Sequence, residues 1–324
     1  MLDDVSKPGS SARILILRRD NIGDLVCTTP LIAALREQLP GAWLGALVTT
    51  YNVEVLAGNP ALDEVFAYEK LKHRAGSLLS HLRSRLGQLS RMREHNIDCV
   101  LVPANSPRTL KLARSLKPGR VLAAPVTVPP RQHEVERTYE LGRALGLRGK
   151  PGPLQLRPDA GRRAELESRV GAGPFVAVHI SARRPAQRWP LERYAALAAR
   201  LAKETRVILL WAPGAADSPG HPGDDAAAAE VLRVAGNPAV VPVATADLRT
   251  LIAALSLADR VICPDGGAMH LAAALGKPVV ALFGDSPVDR WRPWGVPHRV
   301  LRPDSRDLAD LPVEPVLEAV ALLG

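Results

Sequence analysis

Apolar residues fall in short continuous runs along this chain, separated by longer stretches in which apolar and polar positions recur with helical spacing. The runs include ILIL in Arg13 to Arg18, Trp43 to Val48, Glu64 to Tyr68, Ile97 to Val102, Arg120 to Ala123, Phe175 to His179, Arg206 to Trp211, Val261 to Cys263 and Val279 to Phe283. Unbroken apolar runs of this length suit strands of a parallel sheet, buried on both faces. Helical patterns lie between them: from Asp24 through Leu39, 76–95, 109–116, 132–145, 158–170, 191–202, 225–235, 247–257, 268–275 and 313–323, with a short one closing at Leu56 to Pro60. Strand and helix alternate throughout, which predicts an α/β fold with helices on both faces of parallel sheets.

The alternation breaks at Leu147 to Pro158, LRGKPGPLQLRP, where proline and glycine cluster as in a linker. Two domains follow from this, 1–150 and 151–311, with 312–324 as a terminal helix. Met1 to Ser11 reads as a leader, and Ala212 to Asp225 as a long loop of the kind that often binds ligands. The 324 residues allow two domains of ordinary size, each with its own core.

The clearest local signal is VICPDGGAMHLAAALGKPVVALF, 261–283. Pro264 ends a strand because it has no N–H for the ladder. Asp265, Gly266 and Gly267 then lead into an alanine-rich helix that Gly276 and Pro278 stop. A glycine turn at a helix N-terminus presents free N–H groups and the positive end of the dipole, which suits a phosphate. An ordinary βαβ turn has the same sequence. The first turn, Arg19-Asp20-Asn21-Ile22-Gly23-Asp24, is not GxGxxG, which argues against a dinucleotide enzyme.

Composition narrows the picture further. Arginine dominates a formal charge of +9, which points to an anionic partner. No helix-turn-helix, zinc-finger or aromatic-basic motif accompanies it, so nucleic acid is not expected. The arginines of 76–95 can meet an anionic acceptor or a membrane face, or form a solvated helix surface. Cys27, Cys99 and Cys263 are far apart and lie in or beside apolar runs, as buried reduced thiols of a cytoplasmic protein would. No apolar run reaches the length of a membrane span. Asp3-Asp4 and Asp224-Asp225 do not form a DxD pattern, so nothing calls for a metal, and no cofactor is expected.

Three blocks together resemble glycosyltransferase family nine, the bacterial lipopolysaccharide heptosyltransferases: ILILRRDNIGDLVCTTPLIAALREQLPGA (14–42), HISARRPAQRWPLERYAALAARL (179–201) and CPDGGAMHLAAALGKPVVALFGDS (263–286). His133-Glu134-Val135-Glu136-Arg137 is similar to a further family segment. The resemblance implies a GT-B architecture, two Rossmann-like domains with parallel sheets facing across a cleft, the first for the acceptor and the second for the nucleotide sugar. It implies that the last helix returns to the first domain. It implies an inverting transfer of heptose or a related sugar from an ADP-sugar such as ADP-heptose to an anionic lipopolysaccharide-core acceptor, with contact at the inner face of the inner membrane.

By the same resemblance Asp24 matches the catalytic base; a helix-capping aspartate would look alike locally. Asp265, Gly266, Gly267 and His270 match the donor motif, with Gly266 where many members carry Ser or Thr. His270 faces the donor or packs the helix. Gln187 stands where members commonly have a phosphate-pairing lysine. Arg183, Arg184 and Arg188 are the candidate substitutes, since arginine suits phosphate geometry. Trp189 lies beside the nucleotide or anchors the core, and Trp291 and Trp294 are open to the same two readings. A non-catalytic nucleotide-sugar-binding member, or a transferase using another nucleotide sugar, is the alternative.

Overall fold

The computed structural model describes residues 11–68, 78–127, 129, 131–218 and 222–323. The expected leader, the first residues of the 76–95 helix and the centre of the 212–225 loop lie outside them. The chain divides into two units, Met1–Arg157 and Pro158–Gly324. The division falls at the end of the proline-rich stretch. Leu147 and Leu154 are buried, and the Gln155 N–H donates to Thr29 Oγ1 (3.0 Å), so most of that stretch belongs to the first unit.

The first unit holds five parallel strands, β1 (Arg13–Leu17), β2 (Trp43–Thr49), β3 (Glu64–Tyr68), β4 (Cys99–Val102) and β5 (Arg120–Ala123), in the order β3-β2-β1-β4-β5. The order reverses between β1 and β4. Ligands of open α/β sheets bind beyond the carboxyl ends of the strands at such a switch point. The single helix expected after β1 is two, α1 (Ile22–Val26) and α2 (Thr29–Gln38). Pro30 in the first turn of α2 has no N–H to continue the first helix, and Thr29 Oγ1 takes the free Val26 carbonyl instead (2.8 Å). Further on come α3 (Leu78–Glu94), α4 (Pro107–Ser115) and α5 (Glu134–Arg143).

The second unit opens with α6 (Ala160–Val170), capped by Asp159, whose carboxylate accepts from the Arg162 N–H (2.7 Å). Its strands are β6 (Phe175–His179), β7 (Arg206–Trp211), β8 (Val240–Ala244), β9 (Arg260–Pro264), β10 (Val279–Leu282) and β11 (His298–Leu301), parallel and ordered β11-β10-β9-β6-β7-β8. Its switch point lies between β6 and β9. The helices are α7 (Leu191–Leu201), α8 (Asp225–Ala235), α9 (Leu248–Leu257), α10 (Gly267–Ala274), the short α11 (Val288–Trp291) and α12 (Val313–Ala321). Val176 and Val178, Val207 and Leu209, Val280 and Leu282 share one core with α7, α8 and α12. The intervening Ala177, Ile208 and Ala281 are equally buried, on the opposite face. This explains why the strands read as unbroken apolar runs.

The buried face of α12, Val313, Val316, Ala319 and Val320, joins the core of the second unit, against α7, β10 and β11. Trp189 is part of that core too. It is 2% exposed, donates from its indole N–H to the Leu311 carbonyl (2.8 Å) and meets the Tyr194 ring edge-on at 4.9 Å. Of the two readings of this tryptophan, the structure supports the core anchor.

Candidate functional site

Each unit gathers its candidate residues at the carboxyl edge of its sheet, at the switch point. In the first unit, β1 runs straight into Arg18, whose side chain is fully buried. The turn that follows carries Asp20 and then Asp24, in the first turn of α1. The Asp24 carboxylate accepts from the Asn21 side-chain amide (2.8 Å) and, at 3.3 Å, from the Asn21 backbone N–H. Asp24 therefore does cap its helix, as the third-residue acid of a capping box. It does more than that. Its Oδ1 accepts from Arg18 Nη2 at 2.9 Å, and the side chain keeps 13% of its surface in contact with solvent.

Arg18 is the centre of a buried charge cluster. Its Nη2 also donates to Glu134 Oε1 (2.7 Å), and its Nε lies 3.1 Å from Asp20 Oδ1. Burial by itself would lower the Arg18 pKa, but the charges of Asp20, Asp24 and Glu134 more than reverse this. Glu134 is itself buried, which favours its neutral form. Hydrogen bonds and charge from Arg137 and Arg18 outweigh that and hold its pKa down to about 2. With a guanidinium among them, the three carboxylates do not form a cation site, and no group of metal-ligating side chains occurs among the described residues.

Asp20 behaves differently. Desolvation and the like charge of Asp24, only partly offset by Arg18, push it up to about 6. The folded state thus holds a proton that the unfolded state releases near pH 4, and stability falls as pH rises through this window. Asp20→Asn removes that cost, so its gain in stability over wild type is expected to be about 1 kcal/mol larger at pH 8 than at pH 5. Urea unfolding of both proteins at the two pH values measures it. A gain that shrinks toward pH 8 would contradict the assigned direction.

Sequence reasoning singled out Asp24 but neither Arg18 nor Asp20, and it noted the segment around Glu134 without a role. The local pattern does separate its residues. His133 Nδ1 accepts from the Val135 N–H (3.1 Å), and Glu136 accepts from the His133 N–H (3.0 Å), so these two cap α5. Glu134 and Arg137, three apart, share the other face.

In the second unit, β9 delivers Asp265 and β6 leads to Gln187. Asp265 is buried, and its Oδ2 accepts from Gln187 Nε2 at 2.9 Å. Gln187 Nε2 also meets Ser286 Oγ (3.1 Å), the hydroxyl that hydrogen-bonds the same carboxylate. Desolvation raises the Asp265 pKa, against these hydrogen bonds and the nearby charge of Arg184. The Ser286 loop comes close because of Gly284. A Cβ there would lie 2.2 Å from the Ala186 carbonyl oxygen. Gln187 is thus a buried strut between the Asp265 turn and the Ser286 loop.

Gly266 is the N-cap of α10, and no side chain caps the helix. The first N–H groups of Gly267 and its neighbours have no partner within the helix. A Cβ on Gly266 would meet nothing nearer than the Pro264 carbonyl at 4.0 Å, so the glycine leaves open space where a hydroxyl side chain would fit. His270 is 3% exposed on α10, and its ring meets Trp291 edge-on at 6.0 Å. Arg183 and Arg184 are exposed and make no ion pair among the described residues. Arg188 is engaged: its Nη1 donates to buried Asp224 Oδ1 at 2.6 Å. Asp225 accepts from the Trp211 indole (2.7 Å) and the Gly214 N–H (2.9 Å), so the two aspartates tie down the ends of the long loop.

A sequence profile of glycosyltransferase family 9 (heptosyltransferase) matches residues 120–317, well over half of the chain. The chain belongs to glycosyltransferase family 9. It is a glycosyltransferase. It is similar to lipopolysaccharide heptosyltransferase 2 of Salmonella typhimurium, 26% identical over 319 residues that cover 90% of this chain and 88% of that one. Its fold is that of a family 9 glycosyltransferase from Veillonella parvula (TM-score 0.79, 19% identity, covering 96% of this chain and 97% of that one). The Escherichia coli heptosyltransferase WaaC, solved with ADP, gives a TM-score of 0.75 at 19% identity, covering 96% and 100%. The expected fold class, α/β with two Rossmann-like domains as in GT-B enzymes, is the one observed.

Proposed function

We propose that this family 9 member is an inverting transferase that moves a heptose, or a related sugar, from an ADP-sugar to a lipopolysaccharide-core acceptor. The observation that carries the reading is the carboxylate of Asp24, partly open to solvent at the switch point of the first sheet and held on its buried side by Arg18. The acceptor hydroxyl must lose a proton as it attacks the anomeric carbon, and a carboxylate there receives it. A single displacement, with the hydroxyl entering opposite the departing diphosphate, inverts the anomeric centre. Arg19 lies 4.4 Å over the Tyr68 ring at the same edge, a cation available to an acidic acceptor.

The second unit holds the donor. The Asp265–Gly266–Gly267 turn gives the diphosphate the N–H groups of α10, where the charge that develops on the leaving group is stabilised. Solved relatives carry ADP and ADP-2-deoxy-2-fluoro heptose, which supports an adenine nucleotide sugar. His270 lies on α10 one helical turn beyond Gly267, where its ring packs on Trp291.

Gln187 favours a second reading, a nucleotide-sugar-binding protein without transfer activity, because a neutral strut stands where a phosphate cation is common. We assign the missing charge to Arg184, whose field already reaches Asp265, with Arg183 beside it. Arg188 is spoken for by Asp224. Arg184→Ala is expected to weaken ADP binding about tenfold, the loss of one charge-assisted contact, and Arg188→Ala to act mainly through the loop. Calorimetric titration with ADP measures both. Unchanged affinity in both the Arg183→Ala and the Arg184→Ala proteins would remove the substitute cation and leave the binding-only reading stronger.

Thermal-shift comparison of ADP, UDP and GDP sugars tests donor class. A ligand of the native state raises its apparent stability, so ADP-heptose should raise the melting temperature most. A larger shift with a UDP- or GDP-sugar would replace the donor assignment.

A further inference from the structure

The buried charges behind Asp24 form a continuous chain of contacts that begins far from it. Arg137, on α5, donates from Nη2 to the Pro103 carbonyl (2.9 Å) and from Nη1 to the Pro125 carbonyl (3.2 Å), just past the carboxyl ends of β4 and β5. It grips Glu134 through both carboxylate oxygens, Nε to Oε2 and Nη2 to Oε1, each at 3.0 Å. Glu134 Oε1 then accepts from Arg18 Nη2, the same nitrogen that donates to Asp24 Oδ1. An Nη nitrogen carries two hydrogens. One goes to Glu134 and the other to Asp24, so fixing the first direction fixes the second.

We propose that Glu134 and Arg137 are positioning residues of the transfer reaction: they lock the Arg18 guanidinium, and through it the direction of the Asp24 carboxylate. The proposal rests on the reading of Asp24 as the base. The chain of contacts does something that helix packing alone does not require: it holds Oδ1 on Arg18 and so directs the other oxygen toward the Asn21 side of the turn. Apolar side chains of similar volume could fill the same space at similar or lower cost, because buried ion pairs gain little net stability. Asp20 shares Arg18 from the turn itself, and Arg137 is the second cation in the cluster.

The test is a cycle of variants in the full-length protein, with ADP-heptose and heptose-free lipopolysaccharide as probes. Turnover, donor KM and melting temperature are read for Glu134→Gln, Arg137→Lys, Asp24→Asn and each pair with Asp24→Asn. Arg137→Lys keeps the charge and breaks the two-pronged grip, so it serves if Glu134→Gln does not fold. Loss of aim should lower kcat about 10- to 100-fold with donor KM nearly unchanged. In the Asp24→Asn background the same substitution should change kcat by less than about 2-fold, since the group it positions is already gone. An equal loss in both backgrounds, or a folded Glu134→Gln or Arg137→Lys protein with wild-type kcat while Asp24→Asn is impaired, overturns the positioning role alone. Full turnover in Asp24→Asn overturns the base, and the positioning role with it.

Discussion

Asp24→Asn is expected to lose roughly 10²–10⁴ in turnover while still binding donor, the usual loss on removal of a positioned general base. The structure makes this variant a sharper test than the sequence alone does. Asn at this position can still accept from the Asn21 amide and N–H, so the cap survives in large part. It loses its charge opposite Arg18, which retains Glu134 and Asp20. With its oxygen turned to Asn21, its NH2 faces another donor, Arg18 Nη2, so that hydrogen bond is lost and the stability cost should be about 1–3 kcal/mol. A residue that only capped its helix would show that stability loss and no rate loss. Turnover under saturating donor and the unfolding free energy, measured on one preparation, separate the two. A folded variant with near wild-type turnover would take Asp24 out of the mechanism.

Gly267→Val is expected to act on the candidate donor turn of the second unit. Gly267 is the first residue of α10, so a branched side chain there lies in the path of any anion approaching the free N–H groups. Losing one or two charge-assisted contacts should weaken ADP binding about 10²-fold. The strand and helix on either side of the turn are buried and should hold the fold, so the melting temperature should move far less than the affinity. Titration with ADP gives the affinity, and thermal unfolding without ligand controls for the fold. Normal ADP affinity in a folded Gly267→Val protein would place the diphosphate elsewhere.

Much of the fold was legible because its strands are buried on both faces. ILIL, FVAV and VVAL read as strands from composition alone. β11, His298–Leu301, escaped notice because it is an edge strand, partly exposed and carrying His298 and Arg299, so it lacks the apolar run that marked the others. The split between α1 and α2 was visible in principle, since Pro30 removes an N–H that a continuous helix would use. The destination of α12 was not visible. Its amphipathic pattern shows that it packs but not against what.

The sites divide in the same way. The Asp265 turn announces itself because strand end, proline, glycines and helix start are adjacent in sequence. The Arg18–Glu134 pair spans 116 residues and the Gln187–Asp265 pair 78, and nothing in a single sequence connects residues so far apart. Their meeting depends on the parallel topology, which brings the carboxyl ends of β1, β4 and β5, and those of β6, β9 and β10, to common edges. Gln187 shows the consequence. Read locally it is a missing cation. In the fold it is a hydrogen-bonded strut between Asp265 and Ser286.

The most direct measurement incubates the wild-type protein with heptose-free lipopolysaccharide and, in parallel, with ADP-heptose, a UDP-sugar or a GDP-sugar, and reads the acceptor by mass spectrometry. The account predicts addition of one heptosyl residue with ADP-heptose, release of one ADP for each sugar transferred, and loss of both signals in Asp24→Asn. An acceptor left unchanged by every donor, in a protein that binds ADP-heptose tightly, would contradict it.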